Sequence, residues 1–392
     1  MNPLLLGALP CVLVAQAPPP LSYDDILQRA RTSPEQLRTE ALLAGHGRQL
    51  RGSSGLLREG PSFGLAAGPR TSPLSPRSTD RTVEVDLPLF LSPGTQRRLE
   101  AALGKADPAL RESARIEARF RLRKAYLDAW LSERLLGLRE SDLGTVRTWL
   151  KAAQIRLEAG ADPAFQVSLV EGEALKAQLD LDEARQARLE AWAHLRSLAE
   201  VPEVPVPLAE PGEAVRLDAE DLPSRFQRCT LRRAIQARLE LEEQSLRQQQ
   251  ALATSRWSLR GSTSREGEER ITKLGFAYQF PRPGETGAIR RETEAGLSAL
   301  KQELELARVE LEARFQTALL RLQSQSAPTP FTAFETALRA VGMRLSEGKE
   351  RPSEALPIRR QLLEAQVASL RRLHAAHLLT AELQALTDGN AP

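Results

Sequence analysis

The sequence has few of the residues that build catalytic centres. Only two of its 392 residues are cysteine and four are histidine, and aromatic residues make up 4%. Cys11 lies near the N-terminus and Cys229 stands apart from it, so we expect neither an internal disulfide nor a zinc site. No nucleophile paired with a base and no glycine-rich phosphate loop is evident, and we therefore expect no enzyme activity, no metal and no cofactor.

Neither sign of charge dominates the sequence. The 54 Lys and Arg residues nearly balance the 51 Asp and Glu residues, which leaves a net charge of +3. This balance gives no reason to expect a nucleic-acid partner. The apolar residues are mostly Ala and Leu, a mixture typical of long helices that pack on one another.

The apolar run near the N-terminus, from Leu4 to Val14, is too short to cross a bilayer. Residues 1–17 contain no charged side chain and end in Ala15-Gln16-Ala17, which resembles a small-x-small cleavage site. These features predict a secretory signal peptide over residues 1–17, and a disordered N-terminus is the alternative. Pro10 before Cys11 argues against a lipoprotein signal.

The sequence does contain a long internal repeat. One order of predicted elements (helix, two alternating strands, very long helix, glycine turn, helix) occurs in residues 26–199 and again in residues 222–386. The pair Pro93-Gly94 recurs as Pro283-Gly284, and the turn glycine Gly160 recurs as Gly348. A tandem duplication explains this pattern. We predict a first repeat over 18–200, a linker over 201–221 and a second repeat over 222–392.

Each repeat is predicted to form a helical hairpin of double length. In the first repeat we expect helices over 23–52 with a break at Pro34, over about 95–159, and from Asp162-Pro163 to just before Pro202; in the second, over 224–254, 285–347 and 352–387. At 1.5 Å per residue the long helix would span about 100 Å, close to the summed length of the two shorter ones. Pro328 is expected to break the second long helix. An ordinary antiparallel helical bundle is the alternative.

Alternating apolar and polar residues predict four short strands, near residues 62–67, 82–89, 257–260 and 273–280. Val83 and Val85 share one strand face, as do Leu274 and Phe276. A four-stranded sheet cannot close on itself, and no helix remains to cover its apolar face. We therefore predict that these four residues face lipid in a transmembrane barrel completed by several chains. A small soluble sheet packed on a helix is the alternative.

Several segments resemble those of the TolC-like outer-membrane efflux proteins, and the resemblance covers nearly all of the chain after residue 17. They are the strand end Val85-Asp86-Leu87-Pro88-Leu89-Phe90, the long-helix segment Ala125-Tyr126-Leu127-Asp128-Ala129-Trp130, the turn Arg156-Leu157-Glu158-Ala159-Gly160, its repeat Arg344-Leu345-Ser346-Glu347-Gly348, and Leu362-Leu363-Glu364-Ala365-Gln366. Their order and the duplication, rather than any single motif, carry the resemblance.

The resemblance implies a mainly α fold with a small β part. In a homotrimer, three chains would supply twelve strands to a barrel in the outer membrane of a Gram-negative bacterium and twelve helical columns to a periplasmic α-barrel. It further implies a passive exit duct of a tripartite efflux or type I secretion system, with a periplasmic adapter and an inner-membrane pump as partners. The cargo and the pump class stay open.

The resemblance also assigns roles to the two hairpin tips. The adapter would contact Arg156, Gly160, Ala161, Asp162 and Pro163 in the first tip and Gly348, Lys349, Glu350 and Arg351 in the second. Glu354 and Arg359 would lie at the periplasmic entrance. The alternative is that these segments are simply turns. Unequal charges around Gly160 and Gly348 suggest that one hairpin moves or binds differently from the other.

Two other classes of protein compete with a channel. A soluble coiled-coil scaffold of the periplasm would bury the apolar strand residues under a helix, whereas a barrel would leave them facing lipid. A periplasmic adapter would carry sizeable β-domains beside its hairpin, and none is evident in the sequence.

Overall fold

The computed structural model describes residues 19–52, 62–72, 75–89, 93–212, 217–254, 257–266, 269–278, 280, 284–324, 331–347 and 349–387. The first repeat contains α1 (Tyr23–Gln28), α2 (Pro34–Gly52), β1 (Ser62–Ser72), β2 (Ser75–Pro88), α3 (Pro93–Glu158) and α4 (Ala164–Leu198). The second contains α5 (Leu222–Gln227), α6 (Thr230–Thr254), β3 (Trp257–Glu266), β4 (Glu269–Tyr278), α7 (Glu285–Ser324), α8 (Phe331–Ser346) and α9 (Pro352–Leu386). The predicted fold class, mainly α with a small β part, is confirmed. The signal peptide, Pro328 and Gly348 lie outside the described residues.

Local capping explains where the first helices begin. The Asp25 N–H donates to Ser22 Oγ at 3.2 Å, and Asp25 Oδ2 accepts from the Ser22 N–H at 3.0 Å, which is a capping box. These hydrogen bonds to Ser22 also lower the pKa of the Asp25 carboxyl. Ser33 and Gln36 make the same reciprocal pair before α2. Pro34 is therefore the first residue of α2, where a missing N–H costs nothing, and the predicted break at Pro34 is confirmed.

Two helix predictions need adjustment. The helix predicted over residues 224–254 is wrong at its start, because α5 ends at Gln227 and α6 begins at Thr230. This interruption matches the one between α1 and α2, so it belongs to the repeat. The second long helix is divided into α7, which ends at Ser324, and α8, which begins at Phe331. By contrast, α3 runs unbroken for 66 residues through Pro108.

The four strands form one antiparallel sheet in the order β1-β2-β3-β4. They are 11, 14, 10 and 10 residues long, so the predicted strand lengths were too short. The segment rich in Pro, Ser and Thr between the predicted strands of the first repeat is itself largely strand. Main-chain pairing holds it in the ladder, for example Gly68 opposite Asp80 and Arg81 opposite Arg265.

The chain divides into two compact units, and each draws residues from both repeats. Unit 1 comprises the described residues within 1–31, 121–216 and 325–381, and unit 2 comprises those within 32–120, 217–324 and 382–392. The sheet belongs to unit 2 and both hairpin tips belong to unit 1.

The core of unit 1 contains two apolar clusters. One surrounds Tyr126, Trp130 and Trp192, and the other surrounds Trp149 and Val170. The Tyr126 hydroxyl donates to the Ala209 carbonyl at 2.6 Å, and Trp192 Nε1 donates to the Pro202 carbonyl at 3.0 Å. The predicted linker is therefore fastened to the first cluster by buried aromatic side chains.

The core of unit 2 joins helices of both repeats. Leu99 and Leu241 are fully buried in a cluster of leucines and alanines. Phe226 and Phe315 stack with their ring centroids 4.1 Å apart and their planes 4° from parallel. Both phenylalanine side chains are 2% exposed, so this stack is a buried anchor between α5 and α7.

Candidate functional site

Backbone geometry closes the first hairpin tip. Gly160 has φ = 71°, a left-handed conformation that favours glycine at a helix C-terminus. The Gly160 N–H donates to the Leu157 carbonyl at 2.9 Å, and the Ala161 N–H donates to the Arg156 carbonyl at 2.8 Å. Gly160, Ala161 and Pro163 are exposed at this tip. The Gly160 and Ala161 N–H groups are thus satisfied within the turn.

The Arg156 side chain makes its contacts within unit 1. Its Nε lies 2.9 Å from Asp162 Oδ2, and the Asp162 side chain is only 3% exposed. Its Nη1 also lies 3.5 Å from the carbonyl oxygens of Leu345 and Glu350, which belong to the second tip. Arg156 therefore links the two tips, a role that its sequence motif did not indicate.

The second tip repeats this arrangement. Arg344 Nη1 lies 3.0 Å from Glu350 Oε1, with the same six-residue spacing as the pair Arg156 and Asp162. The Lys349 N–H donates to the Arg344 carbonyl at 2.9 Å. The Arg344 side chain is 66% exposed, against 23% for Arg156, so the two equivalent pairs lie in different surroundings.

A second contact joins the tips on the side of α4. Gln166 Nε2 donates to Ser353 Oγ at 3.2 Å, and the Ser353 N–H donates to Gln166 Oε1 at 3.1 Å. Glu354 and Arg351 stay exposed next to this contact, with Glu354 Oε2 3.4 Å from the Arg351 nitrogen. The structure thus leaves the Glu354 carboxylate open to solvent in a single chain.

Arg359 lies in a buried charged cluster of unit 1. Its Nε and Nη2 donate to Asp142 Oδ1 and Oδ2 at 2.8 and 2.7 Å, and its Nη1 donates to Glu173 Oε2 at 3.0 Å. Arg360 pairs with the other oxygen of Glu173. Arg359, Asp142 and Glu173 are 3%, 3% and 5% exposed. In a single chain, therefore, the Arg359 charge is neutralised between α3, α4 and α9. Sequence reasoning missed both carboxylates.

One face of the sheet is apolar and uncovered. Cross-strand partners lie on the same face, so the register forms three rows across the strands in which most residues are apolar. The rows are Phe63, Val85, Gly261, Leu274; Leu65, Val83, Thr263, Thr272; and Leu87, Leu259, Phe276. The exposed fractions are 72% and 84% for Phe63 and Leu65, 77% and 74% for Leu274 and Phe276, and 39% for Val83, whereas Val85 is half-buried. No described helix shields this face.

The opposite face of the sheet is polar. Glu84 lies in one row with Ser262 and Lys273, and Asp86 lies opposite Arg260, whose Nη2 is 3.3 Å from Asp86 Oδ2. The sheet is thus amphipathic with a period of two, as the alternating sequence predicted.

Aromatic residues gather where the paired stretch of β3 and β4 ends. The ring centroids of Trp257 and Tyr278 are 5.0 Å apart, and those of Tyr278 and Phe280 are 5.2 Å apart. All three side chains are at least 42% exposed. Within the described ranges, no helix combines the length and apolarity that a bilayer crossing requires.

The fold and the tips define a duplicated helical-hairpin protein whose sheet is left open in a single chain. A model of the family described as outer membrane efflux protein matches residues 41–199, from α2 to the end of α4. The resemblance to the TolC-like outer-membrane efflux proteins is therefore confirmed. No curated protein matches the sequence.

Solved structures of outer-membrane channels share the fold over most of their length. The CmeC outer membrane channel of Campylobacter jejuni has a TM-score of 0.70 at 14% identity and covers 94% of this chain and 85% of its own. The outer membrane protein VceC of Vibrio cholerae has a TM-score of 0.66 at 16% identity, and the match covers 94% of this chain and 95% of VceC. The open state of the MtrE outer membrane channel of Neisseria gonorrhoeae has a TM-score of 0.60 at 16% identity, and the match covers 94% of this chain and 88% of MtrE. At these identities the likeness concerns the fold.

Proposed function

We propose that the chain is the outer-membrane exit duct of a tripartite efflux or type I secretion system. The observation that carries the proposal is the uncovered apolar face of the sheet. Isolated large apolar side chains are common on protein surfaces, but a contiguous patch spread over four strands marks an interaction with lipid or protein. Here the opposite face is polar, which is the pattern of a strand with lipid outside and water inside.

The sheet also supports a homotrimer. The described strands β1 and β4 each have one neighbour in the chain, so each leaves an open edge, and open edges do not occur in hydrocarbon. Pairing β4 of one copy with β1 of the next removes both edges. Three copies then supply twelve strands, and strands of 10 to 14 residues are long enough for tilted strands that cross a membrane.

The soluble scaffold is less well supported by the same observation. A scaffold would bury Leu65 and Phe276 under a helix, yet these side chains are 84% and 74% exposed. The pair Trp257 and Tyr278, with Phe280 beside it, further favours a membrane, because the amphipathic rings of Trp and Tyr concentrate at the interface between lipid and water.

The experiment places a charge on each face of β4. Phe276→Arg puts a cation on the proposed lipid face, which costs about 2–4 kcal/mol near the bilayer midplane. Gly275→Arg, one residue away on the polar face, is the matched control. We expect Phe276→Arg to deplete the detergent-requiring trimer from the outer-membrane fraction and Gly275→Arg to leave it intact. A soluble monomeric wild type, or equal behaviour of the two variants, would contradict the proposal.

We further propose that the tips bind a periplasmic adapter that leads to an inner-membrane pump. The support is the exposure of Ala161, Pro163, Lys349 and Arg351 and the order of the tip motif in both repeats. Arg156 and Asp162 hold the tips together in this proposal rather than contact the adapter directly. A photo-crosslinking residue at Lys349 should capture the adapter, whereas the same residue at the exposed Arg185 of α4, which lies outside the tips, should not.

A further inference from the structure

One end of the apolar sheet face carries three arginines to which the duct proposal gives no role. Ala67, Arg81, Arg265 and Arg270 stand opposite one another across β1, β2, β3 and β4. Arg81 lies two residues before Val83 on β2, so these positions belong to the same face as the apolar rows. All three arginine side chains are exposed. They are called the arginine row below.

The arginine row has no counter-charge in the described part of the chain. Like charges at directly opposite positions of neighbouring strands destabilise a sheet. On the polar face, Arg260 is balanced by Asp86, with Arg260 Nη2 3.3 Å from Asp86 Oδ2. Within the described ranges, by contrast, no carboxylate pairs with an arginine of the row. Arg270 Nε donates to Thr263 Oγ1 at 3.3 Å, but this hydroxyl is neutral and leaves the charge uncompensated.

The arginine row and an aromatic pair bound the apolar face at its two ends. Trp257 and Tyr278 stand opposite each other on the same face, at the end of the ladder away from the row. Trp257 and Arg265 are eight residues apart on β3, which is about 26 Å at about 3.3 Å per residue. In strands tilted by roughly 40° this corresponds to about 20 Å of membrane thickness, close to the apolar band of about 25 Å in transmembrane barrels. The row thus lies at the level of lipid headgroups.

The chain order assigns the arginine row to the external side of the membrane. At the end with the row, β1 is followed by β2 and β3 by β4, whereas the other ends of the strands continue into α2, α3, α6 and α7. This inference rests on the proposed function, in which the sheet spans the outer membrane and the helices lie in the periplasm. The external leaflet of that membrane consists of lipopolysaccharide, whose lipid A anchor carries phosphate groups.

We propose that the arginine row binds the phosphate groups of lipid A in the external leaflet. The planar guanidinium group donates two parallel hydrogen bonds to a phosphate, which makes arginine well suited to this ligand. Opposite residues of neighbouring strands have Cβ atoms about 5 Å apart, so two arginines can reach one phosphate. The acyl chains of the same lipid then lie along the adjoining apolar rows, which include Leu65, Val83 and Leu274. Both chemical halves of lipid A thus find a complementary surface on one sheet face.

The test measures binding of bisphosphorylated lipid A to the full-length protein in detergent by native mass spectrometry. Two double variants of β3 and β4 remove the same number of positive charges from opposite faces of the sheet. Arg265→Gln/Arg270→Gln should weaken binding by about tenfold or more, because it removes charge-assisted hydrogen bonds to phosphate. Arg260→Gln/Lys273→Gln, on the polar face, should change binding by less than about twofold. Lipid A without its phosphates should bind the wild type about tenfold more weakly.

The outcomes separate the lipid site from the duct. A wild-type trimer recovered from the outer membrane that binds lipid A with and without phosphates equally well would refute the lipid site alone, and this comparison does not depend on the variants. Equal losses in the two double variants would refute it too. Displacement of lipid A by an equal concentration of inorganic phosphate would show a site for phosphate rather than for lipid and would also overturn the inference. A soluble monomeric wild type would refute the duct proposal together with the lipid site.

Discussion

The buried charged cluster of unit 1 gives a sharp prediction about stability. Arg359→Met keeps much of the side-chain volume and removes three charge-assisted hydrogen bonds. Glu173 keeps Arg360 as a partner, so Asp142, whose side chain is 2% exposed, is the carboxylate left buried without a cation. Removing one partner of a buried ion pair costs about 3–5 kcal/mol, and we expect a loss in that range.

The neighbouring arginine supplies a matched control. Arg360 pairs with the same Glu173, but its side chain is 50% exposed, so Arg360→Met should cost less than about 1 kcal/mol. The double variant Asp142→Leu/Arg359→Met removes both opposite charges and should recover most of the loss, because an apolar replacement of a buried pair is often neutral.

Guanidinium unfolding followed by circular dichroism measures these differences. All variants must be compared at one protein concentration, because association contributes to apparent stability. A decrease in the free energy of unfolding below about 1 kcal/mol for Arg359→Met would refute the reasoning, because a buried carboxylate without a partner should destabilise the fold by more than that. Equal losses for Arg359→Met and Arg360→Met would refute it too, because burial would then not decide the cost.

Three further predictions concern single contacts. The hydrogen bond to Glu242 raises the pKa of His46, so the protonated imidazole stabilises the fold at low pH. His46→Gln should therefore lower the melting temperature clearly at pH 6 and little at pH 9, where the imidazole is neutral in the folded and the unfolded state. A decrease that does not depend on pH would contradict this. Arg156→Met should lower the free energy of unfolding in urea by about 2 kcal/mol, because it leaves the buried Asp162 carboxylate without its cation. Arg344→Met should lower it by less than about 1 kcal/mol, because the Arg344 side chain is largely exposed. The reverse order of the two losses would contradict this prediction. Phe315→Ala should cost about 3–5 kcal/mol by differential scanning calorimetry, because it leaves a cavity against its stacked neighbour, and a loss near zero would mean that the stack is not buried.

Local signals in the sequence located most helix ends. Pro34 and the pair Asp162-Pro163 mark the starts of α2 and α4, because proline suits the first turn of a helix and disrupts its interior. Pro108 shows the limit of this signal, since α3 continues through it. The interruption at Arg228 and Cys229 carried no such mark and became visible only as the counterpart of the one in the first repeat.

Strand lengths and the charged cluster escaped prediction for a different reason. The stretches 68–72 and 75–81 lack apolar alternation, and backbone pairing with neighbouring strands makes them parts of β1 and β2. Asp142 and Arg359 are 217 residues apart, and each resembles an ordinary solvated charge on its helix. Only the packing of α3, α4 and α9 shows that they meet, because periodicity describes one helix at a time.

The strand order has a consequence for mixtures of intact and defective chains. In a ring, each copy would offer two different edges, so its β4 meets only the β1 of its neighbour. An even number of alternating strands lets copies follow one another without disturbing the antiparallel order. A copy with one damaged edge would still join a ring at its other edge and leave a gap. With three copies drawn from an equal mixture, only about one ring in eight would contain intact chains alone. Edge mutations should thus be dominant when they are co-expressed with the wild type.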